Sequence, residues 1–204
     1  MYYQENIFLN LFDISNVPLY KRIADNGTVI AFDTETTGLT DKDDVVQLAI
    51  VEMRKRQEFI SWEMYLKNQV TIDGTEAQKV NGITDKLLRV EGQNPADVLK
   101  DFLSLIKKPI EEDGGVLIVA HNLSFDYRMI VNMMKRYGVA DDFPKDAIGC
   151  CTKEFVKALQ LPRSILPNNR LCNCIKAFNL NAINSHDALD DAWACIELFK
   201  FLTS

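Results

Sequence analysis

An apolar run, Val29-Ile30-Ala31-Phe32, leads straight into Asp33-Thr34-Glu35-Thr36-Thr37-Gly38-Leu39. Consecutive apolar residues of this kind read as a buried strand. The carboxylates that follow sit at i and i+2. Side chains on a strand alternate between faces, so Asp33 and Glu35 point the same way, with Cα atoms roughly 6.7 Å apart. That separation lets both carboxylates reach one cation. Two acids at the end of a buried strand cost folding free energy unless something compensates, and a divalent metal is the usual compensation. Two acids solvated in a turn would give the same local pattern, so the segment alone leaves both readings open.

The rest of the chain supplies a sheet to hold that strand. Val45 to Met53 reads as a second strand, with Val46, Leu48 and Ile50 alternating against Gln47 and Ala49, and Gln57 to Leu66 as a third. Short links between them predict an antiparallel meander. The period then changes. Thr75–Val80 is a short helix closed by Asn81-Gly82, Thr84 caps another, and Pro95 opens a longer one with Val98, Leu99, Phe102, Leu103 and Ile106 at helical spacing. Val116 to Ala120 is a continuous apolar run, the mark of a strand buried on both faces. A helix follows from about Ser124 to Tyr137 and stops at Gly138. Ala147–Cys151 reads as a fifth strand, with helices at 152–160, 169–178 and 187–202. Strands first, then alternating strand and helix, predict an α/β sheet covered by helices.

The length of 204 residues suits one domain with a full core, and 47% hydrophobic content makes it globular. The net charge of −6 argues against a protein that coats nucleic acid, but not against an enzyme that grips one chain end. Five cysteines without paired CxxC spacing read as reduced thiols rather than a zinc site. The N-terminus lacks the basic region of a signal peptide, and no apolar run approaches the ~18 residues of a membrane span. These features predict a soluble cytoplasmic protein with no membrane partner. The sequence ends shortly after its last helix, which favours a free-standing enzyme, with polymerase or homodimer contact left open.

Two further segments carry acids. His121-Asn122-Leu123-Ser124-Phe125-Asp126 follows the fourth strand directly, where α/β sheets gather ligands. Asp126 falls in the first turn of its helix, a place that equally suits an acid serving the helix dipole. His121 is open to a structural reading. In Ser185-His186-Asp187-Ala188-Leu189-Asp190-Asp191, Asp187 is placed to cap the last helix, whose buried stripe is predicted as Leu189, Ala192, Trp193, Ile196 and Phe199. Both histidines of the chain stand beside these acids.

Together the three segments resemble the DnaQ-like DEDDh 3′→5′ exonucleases. The D-x-E of their first motif is matched by Asp33 and Glu35, HNxxFD by His121 to Asp126, and HxAxxD by His186 to Asp191. Val80-Asn81-Gly82-Ile83-Thr84 is similar to the family's V-H-G-I-T, with Asn81 in place of histidine. The likeness runs over about residues 28–202, which leaves residues 1–27 as an N-terminal extension to a 28–204 exonuclease domain. It implies a ribonuclease H-like fold, a five-stranded mixed sheet flanked by helices, with the second strand antiparallel. It also implies that Asp33, Glu35, Asp126 and Asp191 hold two Mg²⁺ or Mn²⁺ ions about 4 Å apart. By that analogy Asp33 bridges both ions, Glu35 and Asp191 hold the ion nearer the nucleophile, and Asp126 serves the other. His186 would take a proton from the attacking water, a task for which histidine's ordinary pKa near 6.5 is suited.

The same likeness suggests substrate contacts. Thr36, Gly38 and Leu39 would border the terminal nucleotide, Ile83 and Phe125 would wedge or stack on bases, and Asn122 would offer a polar contact. The contact normally made by histidine is in doubt at Asn81, and core packing is the plain alternative for Leu39, Ile83 and Phe125. The implied activity is stepwise hydrolysis of 3′ ends of single-stranded nucleic acid, DNA before RNA, releasing nucleoside 5′-monophosphates. An RNA-trimming enzyme is the alternative, and a non-catalytic binding subunit would normally have lost a carboxylate. Tyr2, Tyr3, Phe8, Phe12 and Tyr20 suggest that residues 1–27 either dock a partner or pack on the sheet, with Pro18 breaking any long helix there.

Overall fold

The computed structural model describes residues 13–113, 115–139, 143–144 and 147–204. Five strands form one sheet: β1 (Thr28–Thr36), β2 (Val45–Arg54), β3 (Glu58–Tyr65), β4 (Val116–Ala120) and β5 (Ala147–Cys151), in the order β3-β2-β1-β4-β5. β1, β2 and β3 form the antiparallel meander, and β4 and β5 run parallel to β1. This is the expected ribonuclease H-like mixed sheet, with β2 antiparallel to its central neighbour.

Helices cover both faces. On one side lie α4 (Pro95–Asp113) and α5 (Leu123–Arg136), packed on Ile30, Phe32, Leu48 and Ile50. On the other lie α1 (Val17–Asn26) and α8 (Ala188–Leu202), packed on Val29, Ala31, Ala49 and Val51. Alternate residues of each strand therefore feed alternate layers. The short helices α2 (Glu76–Asn81) and α3 (Asp85–Val90) form a flap with its own small core, and α6 (Thr152–Ala158) and α7 (Leu171–Ala177) pack beside α8.

The predicted cap at Thr84 is present, and Thr75, read as the first residue of its helix, is itself a cap. Thr75 and Thr84 accept hydrogen bonds from Gln78 N–H and Leu87 N–H. Gly82 and Gly138 take left-handed φ values of 71° and 65°, closing α2 and following α5. Four local expectations are corrected. β2 does not alternate, because helices cover both of its faces and nine of its ten residues are buried. Pro18 opens α1 rather than breaking it, since the first turn of a helix needs no proline N–H. α8 has no single buried stripe: Ala194 and Leu198 face the α6–α7 core while Ala192, Ile196 and Phe199 face the sheet, and Leu189 and Trp193 are only partly buried. Ile83 is 3% exposed and packs with Val46, Ile72 and Leu88, so it is a core residue of the flap.

Tyr20 and Ala24 of α1 are buried in the layer that α8 shares with β1, so the helix before residue 28 is part of the same core. Tyr2, Tyr3, Phe8 and Phe12 lie outside the described residues. The five cysteines are free, and all but Cys172 are buried. Among the described residues no helix is long and apolar enough to cross a membrane.

Candidate active site

β1 outruns its parallel neighbour. It pairs with β4 only from Thr28 to Ala31, while its pairing with β2 continues to Thr36. Past Ala31 the β4 side of β1 is open, and the chain leaving β4 turns into α5 there. Asp33 and Glu35 stand on this overhang, on the face covered by α8. The first turn of α5 brings Asp126, and the first turn of α8 brings Asp191. His186 precedes α8 with a left-handed φ of 59°, a conformation histidine tolerates better than most residues. All five side chains line one cavity of 470 Å³, together with Leu39, Asn122 and Phe125. Ligand atoms of Glu35, His186 and Asp191 lie within 4.8 Å of one another, a cluster able to hold a metal ion.

The electrostatics of this cavity favour a bound cation. Burial, together with the Asp126, Asp191 and Glu35 charges, pushes the Asp33 carboxyl well above the ordinary carboxylate range. Burial and Asp191 push Glu35 up to about 8. Burial also raises Asp126 and Asp191, against the lowering effect of their hydrogen-bond donors. Like charges drawn out of water resist ionisation unless a cation is added. Among the described residues no ion pair involves any of the four carboxylates. The donor set, hard oxygens with one imidazole, fits Mg²⁺ or Mn²⁺.

Neighbouring donors fix the carboxylates in place. One oxygen of Asp126 accepts both the Thr34 hydroxyl (2.7 Å) and the Thr34 N–H (3.2 Å). Asn184 donates to Asp191 at 2.6 Å, and Ser185 N–H donates to its other oxygen at 3.2 Å. Asn81 donates to the Thr36 carbonyl at 3.4 Å and accepts Ile83 N–H at 3.0 Å, and its amide offsets part of the upward shift of Glu35. The residue standing where the family more often has histidine is therefore held beside the first motif by backbone contacts. Gln47, 1% exposed on β2, donates to Asp187 at 2.8 Å and to Glu63 at 2.7 Å, and accepts Ala188 N–H at 3.2 Å. It ties the start of α8 to the sheet.

The RNase_T exonuclease family matches residues 30–199, most of the chain and every element of this site. The chain belongs to that family. Within it, the motifs and the mixed sheet are those of the DnaQ-like DEDDh exonucleases. The PolC-type DNA polymerase III of Listeria innocua is 31% identical over 174 residues, covering 83% of this chain and 11% of the polymerase. That of Oceanobacillus iheyensis is 31% identical over 198 residues, covering 91% and 12%. The chain thus spans about a tenth of the length of these relatives. Exonuclease I of E. coli in complex with a dT13 oligonucleotide shares the fold, with a TM-score of 0.73 and 23% identity over 88% of this chain and 41% of that one.

The remaining candidates of this DEDDh chain divide into two groups. Thr36, Gly38 and Asn81 line a second, smaller groove of 280 Å³ that shares Glu35 and Leu39 with the main cavity. Gly38 is fixed by the Asp43 carboxylate, whose oxygens lie 2.6 and 2.8 Å from where a β-carbon would stand. Ile83 is not brought to either cavity wall. The exposed large apolar residues on the groove are Val80 (55% exposed) and Leu39 (76% exposed). Sequence reading missed Val80, although it begins the V-N-G-I-T segment. It also missed Thr34, which lies between the first two acids, and Gln47, a buried polar residue among the apolar ones that open β2. Lys153, Asn169 and Arg170 of the main cavity carried no sequence signal.

His121 is structural. Its Nε2 lies 2.8 Å from the Asn169 carbonyl and its Nδ1 3.0 Å from the Thr152 hydroxyl. Burial, with the Lys153 charge adding, pushes the imidazole down to about 4, so it stays neutral.

Proposed function

We propose that this chain is a metal-dependent 3′→5′ exonuclease that shortens single-stranded DNA from its 3′ end and releases nucleoside 5′-monophosphates. The observation that carries the reading is the meeting of Asp33, Glu35, Asp126 and Asp191 with His186 in one cavity at the end of β1. Two Mg²⁺ or Mn²⁺ ions held by these residues would supply Lewis acidity at the scissile phosphate and its leaving oxygen. Asp33 feels the charges of Glu35, Asp126 and Asp191 and is the natural shared ligand. Glu35 and Asp191, clustered with His186, serve one side, and Asp126 the other. His186, exposed at the rim, accepts the proton of the attacking water. Leu39 and Phe125 border the terminal nucleotide with apolar surface, and Val80 lines the adjoining groove with Leu39.

DNA is preferred as substrate because the polymerase III relatives are DNA polymerases and the fold neighbour is in complex with an oligodeoxynucleotide. The polymerase relatives also support work beside a DNA polymerase. Free cysteines suit a cytoplasmic setting. The reading keeps residues 28–204 as the exonuclease domain and takes residues 1–27 as an extension whose helix braces the sheet.

The test is digestion of 5′-labelled single-stranded DNA and RNA of matched sequence, with Mg²⁺ and with excess EDTA. The expected result is a descending ladder on DNA with mononucleotide product, and no cleavage in EDTA. Full activity in EDTA would overturn the metal mechanism. Faster cleavage of RNA would convert the reading to a 3′→5′ exoribonuclease.

A further inference from the structure

His121 joins two parts of the chain that would otherwise be independent. A carbonyl oxygen only accepts hydrogen bonds, so the imidazole proton sits on Nε2 and is donated to Asn169. Nδ1 then accepts the Thr152 hydroxyl. The His121 carbonyl in turn accepts Lys153 N–H at 3.2 Å. This neutral link fixes the start of α6 relative to the loop before α7. Each residue it holds is followed by a cation: Lys153 after Thr152, and Arg170 after Asn169. Both cations line the carboxylate cavity.

Several cations of the protein are engaged: Arg54 pairs with Glu52, Arg56 with Asp25, Lys108 with Glu112, and Arg136 with Asp44. Others, such as Lys86, Arg89 and Arg163, stand exposed on the surface away from the cavity wall. Among the described residues, neither the Lys153 nor the Arg170 side chain takes part in an ion pair or a hydrogen bond. A protein of net charge −6 has carboxylates to spare for them. Two unpaired cations are instead held on the wall of its principal cavity.

We infer that Lys153 and Arg170 form a second phosphate subsite, which grips the phosphodiester adjacent to the scissile one. The inference rests on the exonuclease reading. A strand bound by its 3′ end places its scissile phosphate among the four carboxylates. Every other phosphodiester lies on the 5′ side, so the adjacent linkage is the nearest remaining anion. That linkage is repelled by the carboxylate wall and needs cations of its own. Arginine offers a fork of donors matched to phosphate oxygens, and lysine adds a compact charge. His121 sets the subsite without adding a charge that would change with pH.

The test compares wild type with the Lys153→Ala/Arg170→Ala double variant on three substrates in Mg²⁺. These are an oligothymidylate, the same oligomer with an uncharged methylphosphonate next to the scissile linkage, and the p-nitrophenyl ester of thymidine 5′-monophosphate, which carries only the scissile phosphate. The double variant should raise KM on the oligomer by about 10-fold or more, the worth of a charge-assisted hydrogen bond, with kcat little changed. The ester should show no comparable loss. The methylphosphonate should impair wild type to a similar degree and add little to the variant's defect. The slope of log affinity against log salt should become shallower by about 0.7 for each phosphate that is no longer neutralised. An unchanged KM on the oligomer, or equal losses on oligomer and ester, would overturn the subsite. Failure of wild type to cleave any of the three substrates would overturn the exonuclease reading and the subsite with it.

Discussion

Thr34 gives both of its donors, backbone and hydroxyl, to a single oxygen of Asp126 that lies far from it in sequence. Thr34 is the residue between Asp33 and Glu35, so its side chain leaves β1 on the opposite face from theirs. The strand thereby presents two carboxylates on one face and steadies a third from the other. With one Asp126 oxygen held, the second is the one available to a cation. Thr34→Val keeps the shape and removes the hydroxyl. The expected result is a rise of about 10- to 100-fold in the Mg²⁺ concentration giving half-maximal activity, with turnover at saturating Mg²⁺ much less affected. A Mg²⁺ titration of activity decides it, and an unchanged midpoint would show that Asp126 needs no such support.

Removing a carboxylate should trade activity for stability. Asp33 is raised by burial and by four neighbouring acids, Asp126, Asp191, Glu35 and Asp187, so its charge is unfavourable without a cation. Asp33→Asn and Asp191→Ala should abolish cleavage. Asp33→Asn should also melt at the same or a higher temperature than wild type in EDTA, because the cost of holding a buried acid among like charges has gone. Thermal melts in EDTA and in Mg²⁺ give the comparison. A large loss of stability in EDTA would mean that Asp33 serves the fold rather than the site.

His186→Ala should lower turnover by about 10²- to 10⁴-fold, the usual worth of a general base, while calorimetric titration with Mn²⁺ changes little. A loss of Mn²⁺ affinity that accounts for the lost activity would instead make His186 a ligand. Its place in the Glu35–Asp191 cluster makes that distinction worth measuring.

Gln47→Leu removes the donor to Asp187 and Glu63 and the acceptor of Ala188 N–H. Leaving such buried groups unpaired costs about 1–3 kcal/mol. Denaturant unfolding should show that loss. Turnover should fall too, because the start of α8 carries His186 and Asp191. Unchanged stability would mean that water replaces the amide.

The metal-free protein should lose stability as pH rises from about 6.5 to 8. Glu35 is held at about 8 in the folded state against an ordinary 4.5, so over that interval the folded state keeps a proton that the unfolded state releases. Its contribution is complete below about 4.5 and declines toward pH 8. His121 has the opposite sign: its folded value of about 4 lies below 6.5, so its contribution grows from pH 4 to 6.5 and is constant above. The upper window therefore isolates the carboxylates. Melting in EDTA should fall across it, and saturating Mg²⁺ should flatten the dependence. A melting temperature that rises in EDTA between pH 6.5 and 8 would overturn this account.

The candidate catalytic residues were legible because each lies in a short segment whose local pattern survives folding: a strand end at Asp33 and Glu35, and helix starts at Asp126 and Asp191. The meander of β1, β2 and β3 was legible for a similar reason, since short links force neighbouring strands to pair, whereas the placement of β4 and β5 beyond β1 follows long helical crossovers and was not. What could not be read depended on partners distant in sequence. β2 looked alternating because nothing in it announces that helices cover both faces. Ile83 looked available to a base because the flap core of Val46, Ile72 and Leu88 is assembled from three separate segments. Lys153 and Arg170 look like ordinary surface cations until His121 joins the segments that carry them.

The double burial of α8, against the sheet on one side and α6 and α7 on the other, bears on how the protein can fail. A helix wedged between two cores cannot detach without dissolving both, so its amide protons should exchange only through global unfolding. Asp191 rides on its first turn. Inactivation by heat or denaturant should therefore coincide with complete unfolding, and no folded species that has shed this part of the site should accumulate on the way.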